Sequence, residues 1–154
     1  MLAPIVTKSV PALGRGMPDD APNCEFCRIA AGDTDDHRVY EDEETVAFLD
    51  ANPAVKGHVI VIPKRHVTGV LTTGVGEAVF ATVGTVAEAL QADLGVDGFS
   101  TIHTTGPLIG TIDHAHVHLL PRWEGDDVSL ALPRRTLDHD QAERLAERLR
   151  QITA

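Results

Sequence analysis

Three histidines stand at alternate positions in the segment DHAHVHLLPR, residues 113–122: His114, His116 and His118. The chain holds only 8 histidines in 154 residues, so three within five positions ask for a chemical reason. Along an extended chain the side chains alternate faces, which puts the three imidazoles on one side with about 6–7 Å between successive Cα atoms. Ala115, Val117 and Leu119 then point the other way, into a core. Imidazoles buried without partners are costly. Three readings remain: a wet, exposed strand face; a metal site built from three histidines; or phosphoryl or nucleotidyl transfer. In the last, one neutral imidazole attacks phosphorus while its neighbours fix its tautomer.

A second chemical signal is CEFC, with Cys24 and Cys27 the only cysteines. This spacing fits a metal site or a redox dithiol better than an extracellular staple. No thioredoxin-like βαβ pattern surrounds the pair, which weighs against the redox reading.

These residues need a scaffold, and the chain is long enough to bury a real core. Hydrophobic residues make up 43% of it, without an apolar run of the roughly 18–20 residues that cross a bilayer. No secretory signal is legible at the start of the chain, so a cytoplasmic location and no membrane partner are expected. The net charge of −10 argues against general affinity for nucleic acid, though not against a small phosphorylated ligand. Residues 1–22, with four prolines and two glycines, read as an extension preceding a single domain over residues 23–154.

Within that domain, NCEFCRIAAGD starts with a capping residue and ends at Gly32, predicting a short helix. HRVYEDEETVAFLD reads as two strands around an acidic turn at residues 41–44. HVIVIPK, residues 58–64, is a strand that Pro63 stops. Apolar residues at three- and four-residue spacing from Val75 to Leu90 predict a long helix ended by Gly95. Residues 98–105 and 114–122 read as two more strands, with GPLIGTID between them, and DHDQAERLAERLRQI as a polar, amphipathic C-terminal helix. Short connections between consecutive strands imply an α+β fold with a mostly antiparallel five-stranded sheet.

Four blocks, CEFCRIAAGD, VYEDEETVAFLD, GHVIVIPKRH and HAHVHLLPR, occur in this order and spacing. Together they closely resemble the histidine triad (HIT) family of nucleotide hydrolases and transferases, in its zinc-containing bacterial and archaeal branch, over residues 24–122. The resemblance implies a HIT-like fold, a homodimer and a nucleotide substrate. It implies that His116 attacks the α-phosphorus of a nucleotide and that His118 hydrogen-bonds the phosphate or the bridging atom. It also implies a structural Zn²⁺ on Cys24, Cys27, His66 and His114, and no organic cofactor. Phe26, Ile29, Phe48 and Leu49 match positions that enclose the base, and Asp50 matches the carboxylate that accepts from the ribose hydroxyls. Each of the five has a plain alternative, as core for the first four and as a turn cap for Asp50.

The chain departs from the family before the triad. Where many relatives have an amide-containing turn, then Ala-Gly-Gln and a hydroxyl residue, it reads HTTGPLIGTIDH. Aligning Gly106 and Gly110 with the family glycines deletes the glutamine, puts Thr104 at the amide and Thr111 at the hydroxyl. Thr111 and the backbone N–H groups around Gly110 remain as phosphate donors. The expected activity is hydrolysis of a phosphoanhydride or phosphoramidate bond at a nucleoside 5′-phosphate, through a nucleotidyl-histidine intermediate. The missing glutamine keeps open a non-catalytic nucleotide-binding or partner-binding protein on the same fold. A metal-dependent enzyme of different fold would need His116 and His118 as ligands too. His58 reads as a hydrogen-bonded structural histidine, and His103 has no assigned part.

Overall fold

The computed structural model describes residues 23–105 and 112–154. The extension expected over residues 1–22 lies outside them, as do Gly106, Gly110 and Thr111. The elements in chain order are α1 (Glu25–Ala31), β1 (Arg38–Glu41), β2 (Thr45–Leu49), β3 (Val59–Pro63), α2 (Gly76–Leu94), β4 (Gly98–Ile102), β5 (Val117–Arg122) and α3 (His139–Thr153). The five strands form one antiparallel sheet in the order β1-β2-β3-β5-β4, so the α+β architecture is as expected. Helix α2 carries the chain from β3 past β5 to the far edge.

Strand alternation sorts the core into two layers. Ala47, Val59, Val61, Val117 and Leu119 face α2, where Val79, Val83 and Val86 meet them. Val46, Phe48, Ile60 and Ile62 face the opposite way, against Phe26 and Ile29 of α1. β3 is buried along its whole length because it is covered on both faces. Each such aliphatic side chain contributes roughly 1.5–3 kcal/mol, against about 0–1 kcal/mol for an exposed ion pair such as Arg38–Glu41. Helix α3 buries none of its side chains.

Local chemistry sets the boundaries. The Cys24 side chain caps α1 by accepting from the Cys27 N–H, and Gly32 ends the helix at a left-handed φ of 79°. Asp42 Oδ1 accepts from the backbone N–H groups of Glu44 and Thr45, which closes the acidic turn. Gly57 also has a φ of 79°, and a Cβ there would lie 3.0 Å from Leu94 and 3.2 Å from Pro121. Glycine is needed on both counts.

Two strands are shorter than the sequence predicts. The strand expected over residues 114–122 begins only at Val117, and the one expected over residues 98–105 ends at Ile102. On one side the cause is Pro63, which ends β3 and has no N–H to offer a ladder. His114 to His116 therefore run beside the sheet instead of pairing within it. The Ala115 N–H goes to the Val67 carbonyl at 2.6 Å.

Candidate functional site

His114, His116 and His118 keep the face that alternation assigns them: Ala115, Val117 and Leu119 join the α2-side core, and Phe26 of α1 lies over the histidines. The His116 ring is 5.2 Å from Phe26 and 5.2 Å from the His118 ring, centroid to centroid. The three rings nevertheless have different surroundings.

His114 is 1% exposed. Its Nε2 lies 2.8 Å from the Pro63 carbonyl, which only accepts, so Nε2 carries the proton and Nδ1 keeps its lone pair. That lone pair faces Cys24 Sγ at 3.4 Å, Cys27 Sγ at 3.5 Å and His66 Nδ1 at 3.2 Å, and Cys27 Sγ lies 3.2 Å from His66 Nδ1. Two sulfurs and two nitrogens within 4.8 Å of one another form a closed S₂N₂ set. For bonds of about 2.3 Å to sulfur and 2.0–2.1 Å to nitrogen, a tetrahedron places neighbouring donors at about these separations. The four residues fit a tetrahedral cation, and burial keeps the His114 ring neutral, as a ligand must be.

His116 Nδ1 is 2.7 Å from the His114 carbonyl. A carbonyl cannot donate, so the proton sits on Nδ1 and Nε2 holds the free pair. This is the tautomer an attacking imidazole needs.

His118 is fixed by a chain of bonds. The Ala54 N–H donates to His58 Nδ1 at 3.0 Å, so His58 carries its proton on Nε2. That proton points at His118 Nδ1, 2.8 Å away, leaving His118 with an Nε2–H donor. Asp50 Oδ2 stands beside both rings, 3.4 Å from His58 and 3.9 Å from His118, while its Oδ1 accepts from the Asn52 N–H at 2.8 Å. Asp50 thus caps its turn and also faces the histidines. Asp50, His58 and His118 are close enough to resemble a metal set. However, His58 could bind a cation through Nε2 only by giving up the bond from Ala54, so the trio is better described as a hydrogen-bond relay. His58 was legible in sequence only as a structural histidine, because nothing in its spacing reveals that its ring meets His118.

Phe26, Ile29 and Phe48 are buried together, with Phe26 and Phe48 5.7 Å apart edge to face. Leu49 comes next on the pleat, turns to the other face and is exposed. Thr104 is exposed just beyond β4. Gly110 and Thr111, expected near the phosphate, lie outside the described residues.

A family model, the HIT domain, matches residues 31–125. This chain belongs to the HIT family. "Protein hit" of Bacillus subtilis is 38% identical over 110 residues, covering 70% of this chain and 76% of that protein. Adenylylsulfatase HINT3 of Arabidopsis thaliana is 34% identical, covering 68% of this chain and 54% of that protein. An adenosine 5′-monophosphoramidase of Candida albicans is 27% identical, covering 86% and 92%. Among solved HIT structures, SMU.412c from Streptococcus mutans superposes with a TM-score of 0.80 at 36% identity, covering 92% of both chains. A Zn-bound histidine triad protein from Mycobacterium smegmatis gives 0.67 at 32% identity, covering 87% of this chain and 98% of that one. The HIT fold places these histidines in a family that includes named nucleotide hydrolases. No described helix is long and apolar enough to cross a membrane.

Proposed function

We propose that the protein hydrolyses a phosphoanhydride or phosphoramidate bond at a nucleoside 5′-phosphate, with His116 as nucleophile. The observation that carries this reading is the His116 Nδ1–H bond to the His114 carbonyl, which frees Nε2. Attack by Nε2 forms the N–P bond as the bond from phosphorus to the leaving group breaks. The positive charge that develops on the imidazole is spread toward Nδ1–H and met there by the carbonyl dipole. His118, held as an Nε2–H donor by His58, hydrogen-bonds a phosphate oxygen or the departing atom and keeps its own proton; the leaving group takes its proton from solvent, and the attacking water later returns one there. Water then attacks phosphorus, the N–P bond breaks, and His116 returns to neutral imidazole as the mononucleotide leaves.

Phe26, Ile29, Phe48 and Leu49 are the proposed wall for the base, Asp50 the acceptor for the ribose hydroxyls, and Thr104, Gly110 and Thr111 the phosphate contacts. Zn²⁺ on Cys24, Cys27, His66 and His114 would supply a structural cross-link and take no part in the chemistry. The sulfur-rich, fully ligated donor set supports that role, since it keeps no open position for substrate.

The names of the HIT relatives suggest the substrates to try: adenylyl sulfate, adenosine 5′-phosphoramidate and, from the same bond chemistry, a diadenosine polyphosphate. Released mononucleotide is measured for the zinc-loaded protein and for His116→Ala. Turnover should fall at least about a thousandfold in the variant with zinc content unchanged. Equal turnover would remove His116 as nucleophile. Mononucleotide binding with no turnover on any of the three would favour the non-catalytic reading that the missing glutamine motivates.

A further inference from the structure

His103 takes no part in the chemistry above, yet both of its ring nitrogens are engaged by main chain. The Val70 N–H donates to Nε2 at 3.3 Å, and Nδ1 lies 2.9 Å from the His116 carbonyl. An amide N–H cannot accept and a carbonyl cannot donate, so one neutral tautomer, with its proton on Nδ1, satisfies both bonds.

Among the described residues, the segment it touches has few other main-chain anchors. β3 pairs with β5 only as far as Val117, and β4 pairs only as far as His118. Continuing the β4 register would set Thr104 opposite His116, but the strand has already ended. The main chain of residues 114–116 is held instead by the Ala115 N–H on the Val67 carbonyl and by His103 on the His116 carbonyl. Both anchors lead to the same short stretch, residues 67–70, whose Val70 is fully buried. A short stretch anchored in the core at Gly69 and Val70 thereby fixes the peptide units that aim the His116 ring.

We infer that His103 is a positioning residue, a side-chain substitute for the missing strand pairing that holds the His116 main chain so that its imidazole keeps the Nδ1–H tautomer. The inference rests on the reading of His116 as nucleophile. Substrate need never touch His103, so its removal should lower kcat and spare ground-state binding of nucleotide.

The test compares zinc-loaded wild type, His103→Leu and His103→Gln, the last retaining one donor and one acceptor. Two-bond ¹H–¹⁵N spectra report the His116 tautomer without any turnover, and kcat, mononucleotide Kd and zinc content are measured beside them. His103→Leu should give a mixed His116 tautomer and a kcat at least about tenfold lower with Kd nearly unchanged. His103→Gln should restore the tautomer and bring kcat to within about threefold of wild type. An unchanged His116 tautomer in His103→Leu overturns the inference even if the enzyme is active. So does a loss of fold in both variants, which would make His103 a core residue. A wild type without turnover whose His116 tautomer still depends on His103 would instead defeat the hydrolase reading and leave the positioning role standing.

Discussion

Burial is the largest influence on the His118 and His58 rings, and it pushes both below the ordinary histidine range; Asp50 pulls each back upward. The hydrogen-bond chain works in the same direction as burial. A proton added at His118 Nδ1 would face the His58 Nε2–H across 2.8 Å, donor against donor, so the relay survives only with both rings neutral. The sign of the pH effect follows. Below about 6.5 the unfolded chain takes up protons that the folded rings still refuse. Stability present at neutral pH is then lost as pH falls from there through the depressed folded values. Thermal unfolding followed between about pH 7 and pH 5 should show a steeper fall in Tm for wild type than for a His58→Leu/His118→Leu double variant. Parallel curves would mean that the pair contributes nothing to the acid limb.

At the scale of elements, the four sulfur and nitrogen donors come from the cap and first turn of α1, from the stretch after β3 and from the approach to β5. A cation held there ties α1 to the segment that bears His116 and leads into β5. Inductively coupled plasma analysis should find one zinc per chain, and Cys24→Ser should lose it. With free zinc several hundredfold above Kd, its removal should cost roughly 3–4 kcal/mol of stability, read as a drop in Tm on chelation. A zinc-free wild type with the same Tm would remove the cross-link. This element-level pattern also marks how far the sequence could be read. Period-two alternation sorted the faces of β5, because a one-residue error would have exchanged Val117 for an imidazole in the core against α2. Cysteine spacing and the histidines pointed to the metal set once the family resemblance joined His66 to it. What stayed hidden depended on strand ends. Nothing local to residues 114–116 says that Pro63 stops their neighbour, so the strand was drawn too long. With it went the reason His103 is needed, and His58 became visible as a partner only when Ile60 was paired with His118.

On the scale of the whole molecule, the described surface leaves apolar area uncovered on the α2 side. Phe80 of α2 is 43% exposed, and a cleft of about 230 Å³ opens between β1 and α2, lined by Val39, Tyr40, Val86 and Leu90 among others. Scattered exposed apolar residues need no explanation, and at 3.6 residues per turn Phe80 falls on a different flank of α2 from the cleft-lining Thr85, Ala89 and Asp93, so α2 offers two apolar flanks beside a sheet whose edges are β1 and β4. A second copy of the chain packed along the Phe80 flank of α2 would cover the ring, and that arrangement is one form of the homodimer that the family resemblance implies. Sedimentation velocity at micromolar concentration should give a dimer for wild type. Phe80→Glu would force a charge into the interface and should raise the dissociation constant at least about a hundredfold, or roughly 3 kcal/mol. Because the histidines face α1 across the sheet from α2, the separated chains should keep their zinc and their turnover per chain. A monomeric wild type would sink the dimer while leaving the chemistry of His116 untouched. A Phe80→Glu variant that dissociates and also loses turnover would show that the site is incomplete within one chain.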